Sequence, residues 1–364
     1  MEPDSSFDSH GFRYFLRVTA LLAFLLFMAD FGVGVVAENI LVKPYAQALA
    51  SLDGQLLIQK DKQLKEARGA LLAERAKTNE VITLAFGGDI MLDRGVEQSI
   101  KLHGGSYSFP FEKVAERLRK YDFLFANLEG PLSDKGSDLY NLYSFRMSPE
   151  ALSGLSFAGF DGLSVANNHM GDWGREALAD TLQRLAEAGI GAIGGGMNEA
   201  DAYSPKFFTV RGARVAFVGM SQFGKGQFDA VEDKPGVAII SDEKLAEEIK
   251  IARDSGADIV IVSFHYGEEY ASLPTEFEKR IAHLAIDLGA NLVIGHHPHV
   301  LQPIEIYKDG YIAYSLGNFI FDQGFSRETM TSGLVTARVV NKKIKDVSIE
   351  RLKINGQFQL EFEN

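Results

Sequence analysis

Three histidines in four consecutive positions, within Gly295-His296-His297-Pro298-His299, form the densest chemical feature of the sequence. A loop that gathers imidazoles this closely points to metal or phosphate chemistry, because packing rarely calls for three of them together. Four other apolar runs end on comparable residue types. Val81–Gly87 leads into Gly88-Asp89, and Phe123–Asn127 into Leu128-Glu129-Gly130. Gly162–Ala166 leads into Asn167-Asn168-His169, and Asp258–Phe264 into His265. Carboxylate oxygen, amide oxygen and imidazole nitrogen together make a donor set for a hard or borderline divalent cation. Taken singly, each has a plainer reading. Asp89 also reads as a helix N-cap or turn residue, Glu129 as a solvated loop carboxylate, Asn168 and His169 as turn residues, and His265 as a core histidine. His10, His103 and His283 stand alone and read as structural or solvated.

These residues need a scaffold that brings separate chain segments to one edge. The apolar runs named above, together with Arg214–Gly219 and Leu292–Gly295, read as strands. They alternate with amphipathic stretches at Phe111–Lys120, Glu176–Ala188, Asp242–Ser255 and Pro274–Leu288, which read as helices. Such alternation predicts a layered α/β fold, whose ligands bind at the carboxyl ends of the strands. Five strand ends would then deliver the chemical residues to one rim. The tail changes character: Tyr311–Ser315, Leu334–Val340 and Ile344–Ile354 read as antiparallel additions, with Asn341-Lys342-Lys343 as a turn.

The chain has 364 residues, 49 acidic against 37 basic, and a net charge of −12. This balance argues against a broad nucleic-acid-binding surface, which needs clustered Lys and Arg. Cysteine is absent. Disulfides, thiolate zinc sites and a Cys nucleophile are therefore excluded, and any metal must be held by His, Asp, Glu or Asn. Residues 1–12 are polar and read as a disordered tail. Residues 13–37 carry Arg13 and Arg17 before the uncharged run Val18–Ala29, then Asp30, a further apolar stretch to Ala37, and Glu38. Positive charge ahead of an apolar segment favours an N-terminus inside and a domain outside the cytoplasm. The segment is long enough for a single-pass membrane anchor; it also reads as a cleaved signal, with Val35-Val36-Ala37 as the cleavage site, or as a buried helix of a cytoplasmic domain. Residues 38–80 are rich in helix formers, with Leu57, Leu64 and Leu71 spaced by seven, and read as a helical stalk or a dimeric coiled coil. The main domain is expected over 81–364.

In chain order, Gly88-Asp89-Ile90-Met91-Leu92-Asp93-Arg94, Ala126-Asn127-Leu128-Glu129-Gly130-Pro131-Leu132, Ala166-Asn167-Asn168-His169, His265-Tyr266-Gly267-Glu268-Glu269-Tyr270, Gly295-His296-His297-Pro298-His299-Val300-Leu301-Gln302 and Tyr314-Ser315-Leu316-Gly317-Asn318-Phe319 resemble the motifs of the CapA, or PGA-capsule, family, over about residues 82–322. That family is related to the calcineurin-like metallophosphoesterases and usually has Trp at the Tyr266 position. The resemblance implies a calcineurin-like, metallophosphoesterase-type layered sandwich. It also implies a role in synthesis or export of an anionic capsular polymer, poly-γ-glutamate, often from an N-terminal anchor. One or two divalent ions, Mn, Zn or Fe, would serve a hydrolase or transferase centre. Alternatives are an extracytoplasmic phosphoesterase, or a non-catalytic accessory subunit docked on other membrane subunits of a polymer synthase. By the same resemblance Asp89 binds one ion, Glu129 bridges, Asn168, His265 and His297 bind the second, and His299 returns to the first. His169 is implied as proton donor or oxygen stabiliser. Arg94 is a candidate clamp for a carboxylate or phosphate, with a surface salt bridge as its plainer reading. Met91 stands where the phosphoesterases have a histidine, and a thioether is a poor ligand for hard cations. The first ion is thus short of a ligand unless Asp93 or His296 supplies it.

Overall fold

The computed structural model describes residues 81–363. The tail, anchor and stalk expected over 1–12, 13–37 and 38–80 lie outside the described residues, and among those described no helix is long and apolar enough to cross a membrane. In chain order the strands are β1 (Ile82–Ile90), β2 (Phe123–Leu128), β3 (Gly162–Ser164), β4 (Gly191–Ile193), β5 (Gly195–Gly196), β6 (Lys206–Val210), β7 (Ala213–Ser221) and β8 (Gly236–Val237). They continue with β9 (Ile259–His265), β10 (Leu292–His296), β11 (Ile304–Tyr307), β12 (Gly310–Ala313), β13 (Asn318–Ile320), β14 (Thr331–Val340), β15 (Lys343–Ile354) and β16 (Leu360–Phe362). The helices are α1 (Arg94–Leu102), α2 (Ala115–Leu118), α3 (Ala151–Ala158), α4 (Gly174–Glu187), α5 (Glu199–Ala202), α6 (Asp242–Asp254) and α7 (Glu276–Asp287).

Two sheets result. The first runs β16-β15-β14-β1-β2-β3-β4 with β13 beside β1; the second runs β11-β12-β10-β9-β7-β6. Side chains on a strand alternate faces, so each strand buried on both sides feeds two cores. On β1, Leu84 and Phe86 point to the inter-sheet core while Ala85 points outward; on β9, Ile259 and Ile261 point inward while Val260 and Val262 point outward. The inter-sheet core closes on Phe217 of β7, whose ring lies 5.2 Å from Phe123 and 5.1 Å from Phe125 of the opposite sheet. The outer face of the first sheet is covered by α1 to α4, through residues such as Val96, Leu155 and Leu178. The outer face of the second is covered by α6 and α7, through Leu245, Ile249, Ile281 and Ala285. The chain is thus the layered α/β sandwich expected from its sequence, with helices outside both sheets.

Three local differences have physical causes. The helix expected at Phe111–Lys120 is a 3₁₀ turn at Phe109–Phe111 followed by the short α2, because Pro110 enters the first turn and tightens it. Helices α1 and α3 were not expected. Both are short, and Gly95 and Gly154 within them weaken the sequence signal. Of the three tail strands expected to be antiparallel additions, β14 and β15 pair so, and β12 does so with β11 but runs parallel to its other neighbour, β10. The chain leaves β10 through the histidine loop and returns along β11, so β12 comes back in the direction of β10. Between β14 and β15, Asn341 and Lys342 both take positive φ, 49° and 62°, as a two-residue hairpin turn requires.

Candidate metal centre

The parallel strands of both sheets end at one rim, and the chemical residues lie there. Close strand packing delivers them. A Cβ on Gly88, just before Asp89, would sit 1.9 Å from the Gly317 carbonyl oxygen, and one on Gly295, just before His296, would sit 1.9 Å from that of Tyr314. Only glycine lets β1 and β10 approach their neighbours at these points.

Asp89, Glu129 and His299 are all buried, and one ligand atom from each lies within 4.8 Å of the others. Asp89 Oδ1 accepts from Asn127 Nδ2 at 2.9 Å, and Oδ2 accepts from the His297 backbone N at 3.3 Å. Burial would push the Asp89 carboxyl up, but His296 and His299 outweigh it and hold the group well below its usual range. Glu129 goes the other way. Burial, with the charges of Asp89 and Glu269, raises it well above the usual value despite His299. Its Oε2 accepts from Asn127 Nδ2 at 3.3 Å, whereas Oε1 is buried with no hydrogen-bond donor among the described residues. A lone acceptor of this kind is costly to bury unless a cation or proton faces it. His299 answers the same field. Burial disfavours its charge, but Glu129 and Asp89 prevail and raise it to about 9. The pocket selects positive charge, as a proton or as a cation.

A second group shares His299. Glu269, on an exposed loop, reaches back so that its carboxylate and the rings of His297 and His299 lie within the same 4.8 Å. His297 is pushed down to about 3 by burial and by the charge of His299, so its ring is neutral, and its Nδ1 is buried with no partner. Burial, then His297, likewise lowers His265 well below the usual imidazole range. The two rings lie 4.8 Å apart, and His265 Nε2 faces Asn168 Oδ1 at 2.7 Å. Neutral imidazoles beside carboxylate and amide oxygens are a chemically suitable donor set for Mn, Zn or Fe.

Supporting residues orient this set. Asn318 Nδ2 donates to Gln323 and to the Thr329 carbonyl, so its Oδ1 is left to accept from His299 Nδ1 at 2.9 Å. That fixes the ring with Nε2 turned to Glu129, 3.6 Å away. His169 is held in the same manner. Asp172 accepts from its Nδ1 at 2.7 Å, and Nε2 lies 4.0 Å from Glu129. Asp172 also accepts from Phe145 N and Asn141 Nδ2, each at 2.9 Å, and so ties the loop before α3 to the His169 ring. The histidine loop carries backbone strain, since His297 and His299 take φ of 97° and 59°.

The structure therefore brings Asp89, Glu129, Asn168, His169, His265, His297 and His299 to one rim. It does not add Arg94 to them. That guanidinium pairs with Asp322 through Nε at 3.1 Å and Nη2 at 2.7 Å, and it lies 5.1 Å from the Phe145 ring centre. The salt-bridge reading describes its side chain as found. Met91 is fully buried with Phe145 and Phe321. Asp93 spends both oxygens on the backbone N–H groups of Arg94 and Arg146, as an N-cap. His296 is different: its Nδ1 lies 3.2 Å from Asp89 Oδ1 without hydrogen-bond alignment, so an imidazole from β10 stands beside Asp89. Asn127, Asp172, Glu269 and Asn318 were not singled out as site residues from sequence. Asn127, Glu269 and Asn318 do lie inside the recognised motifs, which was the available signal.

Comparison with known proteins agrees with the motifs. Residues 83–323 match the family model described as "Bacterial capsule synthesis protein PGA_cap". The chain is 36% identical to the capsule biosynthesis protein CapA of Bacillus anthracis, over 73% of this chain and 66% of that one. It is 34% identical to the PGA biosynthesis protein CapA of Bacillus subtilis strain 168, over 71% of this chain and 68% of that one. It spans about two thirds of the length of these relatives. Among solved structures, a 5'-nucleotidase precursor from Thermus thermophilus aligns with a TM-score of 0.46 and 13% identity, over 75% of this chain and 54% of that one.

Proposed function

Because the chain belongs to the bacterial capsule synthesis protein family, we propose that it serves the assembly of an anionic capsular polymer such as poly-γ-glutamate through a divalent-metal-dependent hydrolase or transferase centre at the rim. The observation that carries this reading is the convergence of Asp89, Glu129 and His299, buried, with one Glu129 oxygen lacking a donor. Asp89, Glu129 and His299 would hold one ion. His297, His265 and Asn168, with Glu269 from the exposed loop, would hold another. A bound divalent ion polarises the electrophile and lowers the pKa of water.

The chain's own residues do the rest. Asp172 keeps the His169 proton on Nδ1, which leaves Nε2 turned to the rim to take or return a proton there. Asn318 and Asn127 hold His299 and the two carboxylates in place before any substrate arrives. The reacting bond would be a γ-glutamyl amide of the polymer. The charge order around Val18–Ala29 supports a domain held outside the cytoplasmic membrane by residues 13–37, spaced from it by 38–80, beside other membrane subunits of a polymer synthase.

The full-length chain, purified in detergent, should contain tightly bound Mn, Zn or Fe. It should cleave or transfer γ-glutamyl peptides, with activity lost on chelation and restored by metal. A chain that holds no divalent ion, or one that turns over phosphate esters and leaves γ-glutamyl peptides untouched, would sink the proposal. Protease added to intact spheroplasts should digest the domain; digestion only after lysis would refute the topology.

A further inference from the structure

A cleft of about 700 Å³ opens beside the rim. Val300 and Leu301, which follow the histidine loop, lie in its lining with Tyr270; Phe325 and Arg327 come from the loop after β13, and Arg351 from β15. Tyr270 stands between cleft and rim. Its backbone N donates to the Pro298 carbonyl at 2.8 Å, and its ring lies 6.1 Å from His299 on one side and 5.2 Å from Phe325 on the other. Its hydroxyl accepts from Gln323, Gln323 accepts from Asn318, and Asn318 faces His299. Three hydrogen bonds thus join the cleft wall to the ring shared by both ligand groups.

The charges of the cleft are unusual for this chain. Most described arginines are committed: Arg184 to Asp180 and Asp134, Arg280 to Asp242, Arg338 to Asp346. Arg327 and Arg351 are exposed, and neither guanidinium makes a hydrogen bond, salt bridge or ring contact to another described residue. In a chain of net charge −12, two guanidiniums without a salt bridge share one cleft, Arg327 acting only through the field it puts on the neighbouring Glu328. Glu328 and Glu363 line it as well. With both signs present, the cleft does not concentrate anions in general. It favours a chain whose anionic groups are spaced to meet the two arginines and whose intervening apolar stems lie on Tyr270, Phe325, Val300 and Leu301.

We propose that this cleft is the subsite that seats an extended polycarboxylate chain on its way to the rim, with Arg327 and Arg351 each taking one carboxylate through the planar guanidinium fork. The proposal rests on the rim being the reaction centre. It adds the element that distinguishes a polymer from a single unit.

The test compares the full-length chain with Arg327→Ala, Arg351→Ala and the double variant Arg327→Glu/Arg351→Glu. Exposed residues whose guanidiniums make no hydrogen bond or salt bridge can be replaced with little effect on folding, which an unchanged Tm verifies. Metal content should stay at the unmodified level. Fluorescence anisotropy with labelled poly-γ-glutamate should show about a 10-fold loss of affinity for each single variant, roughly 1.4 kcal/mol. The double variant should lose more, and the unmodified chain should bind less tightly as salt rises. Binding of γ-glutamyl dipeptide and of inorganic phosphate should not change. Polymer binding by the double variant equal to that of the unmodified chain, with metal retained, would overturn the subsite. Equal binding of polyphosphate, lost in the same variants, would overturn the polycarboxylate assignment. A metal-free unmodified chain that still binds polymer through the two arginines would sink the rim chemistry and leave the cleft standing.

Discussion

At the rim, the sheet built on β1 and the sheet built on β9 and β10 supply different chemistry. Asp89, Asn127, Glu129 and Asn168 come from the first, and His265, His296, His297 and His299 from the second. His169, after β3, is the imidazole that crosses this division. Apart from His169 and from Glu269, which follows β9, oxygen donors come from one sheet and nitrogen donors from the other, so the centre is a product of how the sheets face each other. The ionisation follows the same line. The carboxylates are driven apart, Asp89 down and Glu129 up, while on the other sheet His299 is raised and His297 and His265 are lowered. Neither sheet could balance its own buried charge.

The most disruptive way to break this pairing is to remove what aligns the sheets. Phe217→Ala deletes the ring that meets Phe123 and Phe125 across the interface, and should cost about 3–5 kcal/mol in urea unfolding. The surviving folded protein should also bind metal more weakly, although the substitution touches no ligand. Next in size is His299→Ala. This residue belongs to both ligand groups, so calorimetric titration with Mn should show both sites weakened by more than the ~10–100-fold typical of outer-shell changes. His297→Ala should affect one phase only; equal loss of both phases in each variant would show a single shared site.

A smaller effect separates Met91 from His296. With a buried thioether at Met91, beside Asp89 in sequence, adding no imidazole to the group of Asp89, Glu129 and His299, one ion should bind more weakly than the other, and metal uptake should be biphasic. His296→Ala should widen the gap by about 10-fold if His296 supports Asp89, and Met91→His should narrow it. A single tight phase with two ions per chain in the unmodified protein would remove the asymmetry. The smallest effect belongs to Arg94→Ala. Its pair with Asp322 is partly exposed, so stability should change by no more than about 1 kcal/mol and metal affinity not at all.

The layered sandwich was legible because β1, β7 and β9 are near-continuous apolar runs, as strands buried on both faces require, and because α4, α6 and α7 are long and amphipathic. Helices α1 and α3 were not legible, since their stability comes from docking on the first sheet and not from propensity. The direction of β12 was hidden for a related reason: a strand's own residues do not state which neighbour it meets. At the rim, strand-end position and residue type brought the main donors into view. The second layer stayed invisible. Asp172 and Asn318 act through hydrogen bonds to one ring nitrogen, and no spacing rule announces such a bond. Glu269 arrives from an exposed turn whose fold depends on Tyr270 reaching Pro298.

The left-handed backbone at His297 and His299 sets stability against function at these two positions. A buried ring with an unpartnered nitrogen, on a φ of 97°, is a poor choice for holding a chain together. His297→Gly would relax the backbone and remove the orphaned atom, at the cost of added freedom in the unfolded chain. In the presence of chelator this variant should be as stable as the unmodified protein, or more so by about 1 kcal/mol in urea unfolding, while losing its share of metal. A clear loss of stability would show that the loop is conformationally content and that the histidine serves the fold. The expected result would mark the loop as a place where selection for chemistry has held a residue that selection for a robust fold would have replaced.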